Sequence, residues 1–135
     1  MIDVELAQQL KEAGLVWKPG PGDRFAIPES GLDEDVFVLS NMTIEVHNLP
    51  EGRVIGFNGT TEWAMDDVEL DDTIWLPRED QLRELLGGTF RTLRRSELGY
   101  DVEMELLGEQ RTFAGSSPER AYAAALLHLL AAAGV

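Results

Sequence analysis

The spacing of apolar residues changes several times along the chain, and each change marks an element. In residues 3–13, Leu6 and Leu10 stand four apart behind Asp3, a residue type that caps helix N-termini. Gly14 suits the left-handed position after a helix end, and Leu15 is placed to fold back on Leu10. The pattern predicts a short N-terminal helix. Residues 15–18 and 24–27 are two extended runs around Pro19-Gly20-Pro21-Gly22-Asp23, which predicts a hairpin. Residues 28–35 read as a polar, acidic loop. Val36-Phe37-Val38-Leu39 is a continuous apolar run, as in a strand buried on both faces. Residues 43–47 alternate, with Ile44 and Val46 on one side and Glu45 and His47 on the other. Leu49-Pro50-Glu51-Gly52 is a turn, and residues 53–57 are the next strand. These three runs predict an antiparallel meander.

Trp63, Ala64 and Met65 suit a short helical turn, and residues 73–76 an extended run. Pro77 then opens a helix, with Glu79 and Asp80 in its first turn, Leu82, Leu85 and Leu86 as its stripe, and Gly87-Gly88 as its stop. Residues 89–95 and 110–114 read as strands, and residues 100–106 alternate cleanly. Ser117 as N-cap, Pro118 at the first helical position and Gly134 after the end frame a long terminal helix over 118–133. Tyr122, Ala125, Leu126, Leu129 and Ala133 line one face, and Leu127 and Leu130 widen it. The expectation is one α+β domain over residues 1–135. It holds a mostly antiparallel sheet of about seven to eight short strands, with N-terminal, central and long C-terminal helices packed on it.

Charge narrows the functional classes. The 135 residues carry 25 acidic and 11 basic side chains, a net of −14, and no Cys. The excess lies early: residues 1–72 hold 16 acids and 4 bases, and residues 73–135 hold 9 and 7. Such a surface repels phosphate backbones, which argues against direct nucleic-acid binding. No run of about 18 apolar residues marks a membrane span, and the acidic start is unlike a signal peptide. With zero Cys, thiolate metal sites and disulfides are excluded, and a cytoplasmic setting is the expectation.

Several groups carry chemistry in principle. Glu62, Asp66, Asp67, Glu69, Asp71 and Asp72 form an acidic segment of the kind that holds Mg²⁺ or Ca²⁺, although the EF-hand pattern fails. His47 and His128 lack any companion zinc motif, and either is a general base in principle. Arg91, Arg94 and Arg95, with Arg78, Arg83 and Arg111, suit an anion grip, but Asp101, Glu103 and Glu105 on the neighbouring strand suit cross-strand pairs equally. Ser116 and Ser117 lack a nucleophile elbow, and no Lys follows a Gly-rich loop. Trp17, Trp63, Trp75, Phe25, Phe37 and Phe57 suit a core or a ligand pocket.

Four stretches carry a resemblance: Trp75-Leu76-Pro77-Arg78-Glu79-Asp80-Gln81-Leu82-Arg83-Glu84-Leu85-Leu86, Trp17-Lys18-Pro19 with Gly22-Asp23-Arg24-Phe25, residues 56–63, and residues 121–127. Together they resemble a group of small uncharacterised bacterial proteins, mainly actinobacterial and phage-related. Some of that group are labelled pilus-assembly proteins. The ATPase which that label evokes needs a nucleotide-binding lysine loop, and this chain has none. The resemblance therefore implies a lineage and no mechanism.

The sequence expectation is a non-enzymatic protein-interaction module with no cofactor. Its partner is another protein or a second copy bound through the C-terminal helix. The alternatives are a metal- or ligand-binding protein or metal-assisted hydrolase built on residues 62–72, and an acidic DNA mimic. Turn chemistry and an aromatic converge at Asn58, Thr61, Trp63 and Asp66, the expected ligand or partner surface.

Overall fold

The computed structural model describes residues 1–28, 32–39, 44–49, 52–57 and 67–134. It is α+β, with three helices and antiparallel sheets. The chain divides into two compact units: Met1–Leu15 with Pro77–Val135, and Val16–Leu76.

The first unit holds α1 (Val4–Glu12), α2 (Glu79–Leu86), β7 (Phe90–Ser96), β8 (Gly99–Leu106), β9 (Glu109–Gly115) and α3 (Pro118–Ala133). The strands form a sheet in the order β7-β8-β9. Alternation in β8 sets its two faces. Val102 and Met104 are fully buried and meet the helical side, whereas Asp101, Glu103 and Glu105 stand half-buried on the other. Across the inner face lie Leu93 opposite Val102, and Phe113 opposite the same residue on β9. Leu82, Leu86, Tyr122 and Leu126 complete this core, and Phe90 packs on the Tyr122 ring at 5.7 Å. Burying a side chain of this size is worth roughly 1.5–3 kcal/mol.

Helix ends follow the local residues. α1 closes as a Schellman turn: Leu15 N–H donates to Leu10 O at 3.0 Å, Gly14 N–H to Lys11 O at 3.1 Å, and Gly14 has φ +108°. Asp3 does not cap α1; its carboxylate lies 3.7 Å from the Arg120 guanidinium instead. α2 begins at Glu79, with Arg78 as N-cap, so Pro77 sits outside the helix. Gln81 Oε1 accepts the Arg78 N–H at 2.9 Å. In α3, Ser117 Oγ accepts the Arg120 N–H at 3.2 Å, as expected. Gly134 has φ −88°, so it is not in the left-handed conformation.

In the second unit, β1 (Arg24–Ile27) lies between β2 (Leu32–Val38) and β6 (Ile74–Leu76). A separate sheet orders β3 (Ile44–Leu49), β4 (Gly52–Phe57) and β5 (Asp67–Glu69). Three expectations are corrected here. Residues 15–18 form no strand, so the hairpin around Pro19–Gly22 is absent, and β1 pairs with β2 and β6. Val36 and Val38 are exposed on an edge strand that starts at Leu32, within the expected loop, so this run is not buried on both faces. The meander splits, because β2 joins β1, while β3 pairs with β4 and β4 with β5. The described strands form three three-stranded antiparallel sheets, and the expected count of seven to eight strands does not hold.

Trp17 explains why the hairpin fails. Its ring enters the core of this unit, 5.3 Å from Phe25 and stacked at 6.5 Å on Trp75, while Phe25 meets Phe37 at 5.5 Å. The buried Asp23 carboxylate accepts from Trp17 Nε1 at 2.9 Å and from Gly20 N–H at 3.0 Å. Gly22, with φ +84°, follows Pro21 in a turn closed by Asp23 N–H donating to Gly20 O. Five residues that looked like a hairpin tip are thus a clamp on an indole. Asp23→Ala leaves both donors without this acceptor and is expected to cost about 2 kcal/mol, read as a lower urea midpoint. An unchanged midpoint would refute the clamp.

The β8–β9 turn carries a second test. Leu107 has φ +54° and Gly108 φ +82°, the type I′ pair, and Leu107 is 94% exposed. A leucine in this conformation is strained, whereas Asn tolerates it. Leu107→Asn is expected to stabilise by about 1 kcal/mol. Loss of stability in thermal or urea unfolding would contradict that.

Candidate functional site

Asn58, Thr61, Trp63 and Asp66, the surface expected from turn chemistry, lie outside the described residues, as do the Trp63–Met65 turn, Glu62 and the side chain of Phe57. Of the acidic segment, Asp67 and Glu69 fall on β5, and Asp71 and Asp72 are exposed in one 3₁₀ turn. Among the described residues, no three His, Asp or Glu side chains gather as a metal-holding group. His47 occupies the position opposite Val54 in the β3–β4 pair. No described helix is long and apolar enough to cross a membrane.

Two of the six arginines, Arg91 and Arg94, are engaged as the cross-strand reading anticipated. On the outer face of the β7-β8-β9 sheet, Arg91 meets Glu105 at 2.9 Å and Arg94 meets Glu103 at 3.1 Å. Thr92 Oγ1 donates to Glu103 Oε2 at 2.9 Å. Arg111 pairs along its own strand with Glu109 at 2.9 Å. Arg83 lies over the Phe90 ring at 5.5 Å. Arg78 hydrogen-bonds Asp80 and holds that exposed carboxyl below its ordinary range. Glu103, Glu105 and Glu109 on this sheet therefore each stand beside a guanidinium group.

Two surfaces of the first unit remain. One is an open pocket of about 440 Å³ where α1, the end of β9 and the start of α3 meet, lined by Asp3, Glu5, Gln9, Ser116 and Arg120 among others. Its walls are of mixed charge, and Asp3 and Arg120 face each other. The other is the flank formed by β9 and the second half of α3. Ala121, Tyr122, Ala123, Ala125 and Leu126 are buried, but Leu127, Leu129 and Leu130 are only half-buried and residues 131–134 are exposed. His128, expected off the apolar stripe, packs its ring against Phe113 of β9 at 5.5 Å. From Ala121 to the end of the chain no side chain carries a formal charge, with His neutral. Sequence reasoning found the α3 half of this flank and missed the β9 half, because an edge strand is set by pairing order.

No family model matches the chain, and comparison with curated proteins and with solved structures gives no match.

Tyr122 reports on how firmly α3 is seated. Burial raises its hydroxyl pKa above the ordinary 10.0, and the Glu79 charge adds to this. The unfolded chain then releases that proton first. The contribution to stability is complete below pH 10 and is lost as pH rises through the folded value. An alkaline absorbance titration should show one of the two tyrosines ionising late, and Tyr122→Phe should remove that phase. Two tyrosines ionising together would show that the ring is not held as described.

Proposed function

We propose that the chain is a non-enzymatic protein-interaction module that associates with a second copy of itself through the C-terminal half of α3. The observation that carries this is that residues 121–135 hold no charged side chain in a chain of net charge −14. Two strongly like-charged bodies repel over about a Debye length, roughly 8 Å at physiological salt, so the approach of least resistance is through uncharged surface. Leu127, Leu129 and Leu130 leave apolar area on that same stretch after the monomer has packed, which gives association a hydrophobic gain. The resemblance to small actinobacterial and phage-related proteins belongs to this proposal as a lineage only.

Light scattering at micromolar concentration should give twice the 15.0 kDa chain mass. Leu130→Lys, which puts a cation on the half-buried stretch, should return the monomer mass with an unchanged circular dichroism spectrum. A monomeric wild type overturns the self-association.

A further inference from the structure

We infer that two copies join through β9, antiparallel about Thr112, so that two β7-β8-β9 sheets become one six-stranded sheet. The inference shares with the proposed function the premise that copies associate, but it names a different contact. β9 is an edge: among the described residues it pairs with β8 alone. Its register against β8 is unbroken from Gly115 to Glu109, without bulge or proline. Glu109 to Thr112 and Ala114 are exposed. Natural edges of this length are usually blunted by bulges or charge. The opposite edge, β7, shows both devices: its register shifts between Phe90 and Thr92, and it carries exposed Arg91, Arg94 and Arg95. β9 carries only Glu109 and Arg111, which neutralise each other at 2.9 Å.

Alternation of the antiparallel ladder fixes the register. The two-residue turn Leu107-Gly108 makes Leu106 and Glu109 a hydrogen-bonded pair. Counting on by twos, Arg111, Phe113 and Gly115 turn their main-chain groups towards β8. Gln110, Thr112 and Ala114 turn theirs towards the free edge. An antiparallel copy centred on Thr112 places Thr112 against Thr112 and Gln110 against Ala114, so every outward group meets a partner. On the helical face, Arg111 then lies opposite Phe113 and Glu109 opposite Gly115. No like charges are opposed, and Thr–Thr and cation–aromatic pairs are favourable across strands. Centring on Arg111 would oppose two arginines, and centring on Gln110 would leave Ala114 unmatched. Phe113 is already packed on His128, so the joined strands bring the uncharged flank of each copy alongside.

The chain has no Cys, so a single introduced thiol reports only on contacts between copies. Thr112→Cys should cross-link efficiently with a short bismaleimide, and Leu98→Cys, at the other hairpin tip, should not. Thr112→Pro removes an outward N–H that the monomer does not use, and should weaken the dimer about tenfold or more in light scattering. If Thr112→Pro does not fold by circular dichroism, the cross-linking pair decides. A dimer lost in Thr112→Pro but kept in Leu130→Lys upholds the strand pairing and removes the α3 contact. A dimer lost only in Leu130→Lys, with no Thr112→Cys cross-link, overturns the strand pairing and leaves the α3 reading standing. A wild-type monomer overturns both.

Discussion

The first unit depends on a backbone approach that only glycine permits. Gly115 ends β9 two residues before the α3 cap, and a Cβ there would lie 2.5 Å from the Ala121 nitrogen. Gly99 opens β8, and a Cβ on it would lie 2.3 Å from the Gly115 carbonyl oxygen. Three backbones are therefore stacked with no side chain between them: β8, β9 and the first turn of α3. This close seat brings the small residues Ala121, Ala123 and Ala125 into full burial. It also directs Tyr122 onto Phe90. A larger residue at either glycine would lift the helix from the sheet before any side-chain packing could compensate.

That seat has a consequence further along α3. A helix anchored hard at its N-terminal end packs well for as long as the sheet lies beneath it. From Leu127 onward no residue of α3 is fully buried, although four of the next seven positions are Leu or His. Leu127, Leu129 and Leu130 are half-buried, and the fully buried residues of the helix end at Leu126. Among the same residues His128 packs on Phe113 of β9, a strand whose Glu109 and Arg111 pair with each other. If copies associate as proposed, a half-buried apolar helix end and an unblunted strand edge act together, strand pairing supplying direction and apolar burial most of the free energy.

Elements whose signal is local were legible in the sequence. The alternation of residues 100–106, the Ser117-Pro118 start of α3 and the Gly14 ending of α1 each need only neighbouring residues, and all three appear as read. Pairing between distant strands was not legible. The run 36–39 shows that it is apolar, but not that it becomes an edge beside β1, because that depends on β6 arriving 35 residues later. The hairpin reading of residues 15–27 failed for a related reason: Asp23 looked like a turn residue, and its carboxylate is instead committed to an indole. The surface expected at Asn58, Thr61, Trp63 and Asp66 rested on turn chemistry and one aromatic, and it lies outside the described residues.

Charge placement ties the two units to one physical account. Val16–Leu76 holds 13 acidic and 3 basic side chains, a net of −10, and the other unit holds 12 and 8, a net of −4. Within that second set the guanidinium groups are unevenly used. Arg91 and Arg94 quench the carboxylates of β8, so the outer sheet face is polar but locally balanced. Arg111 quenches Glu109 on β9, and nothing charged follows Arg120. A chain that needed only solubility would gain by scattering acids over every surface. Here the last acidic side chain in the sequence is Glu119, and on β9 Glu109 is paired with Arg111. Under the proposed self-association, approach of a second copy is opposed least along residues 121–134, where no charged side chain lies.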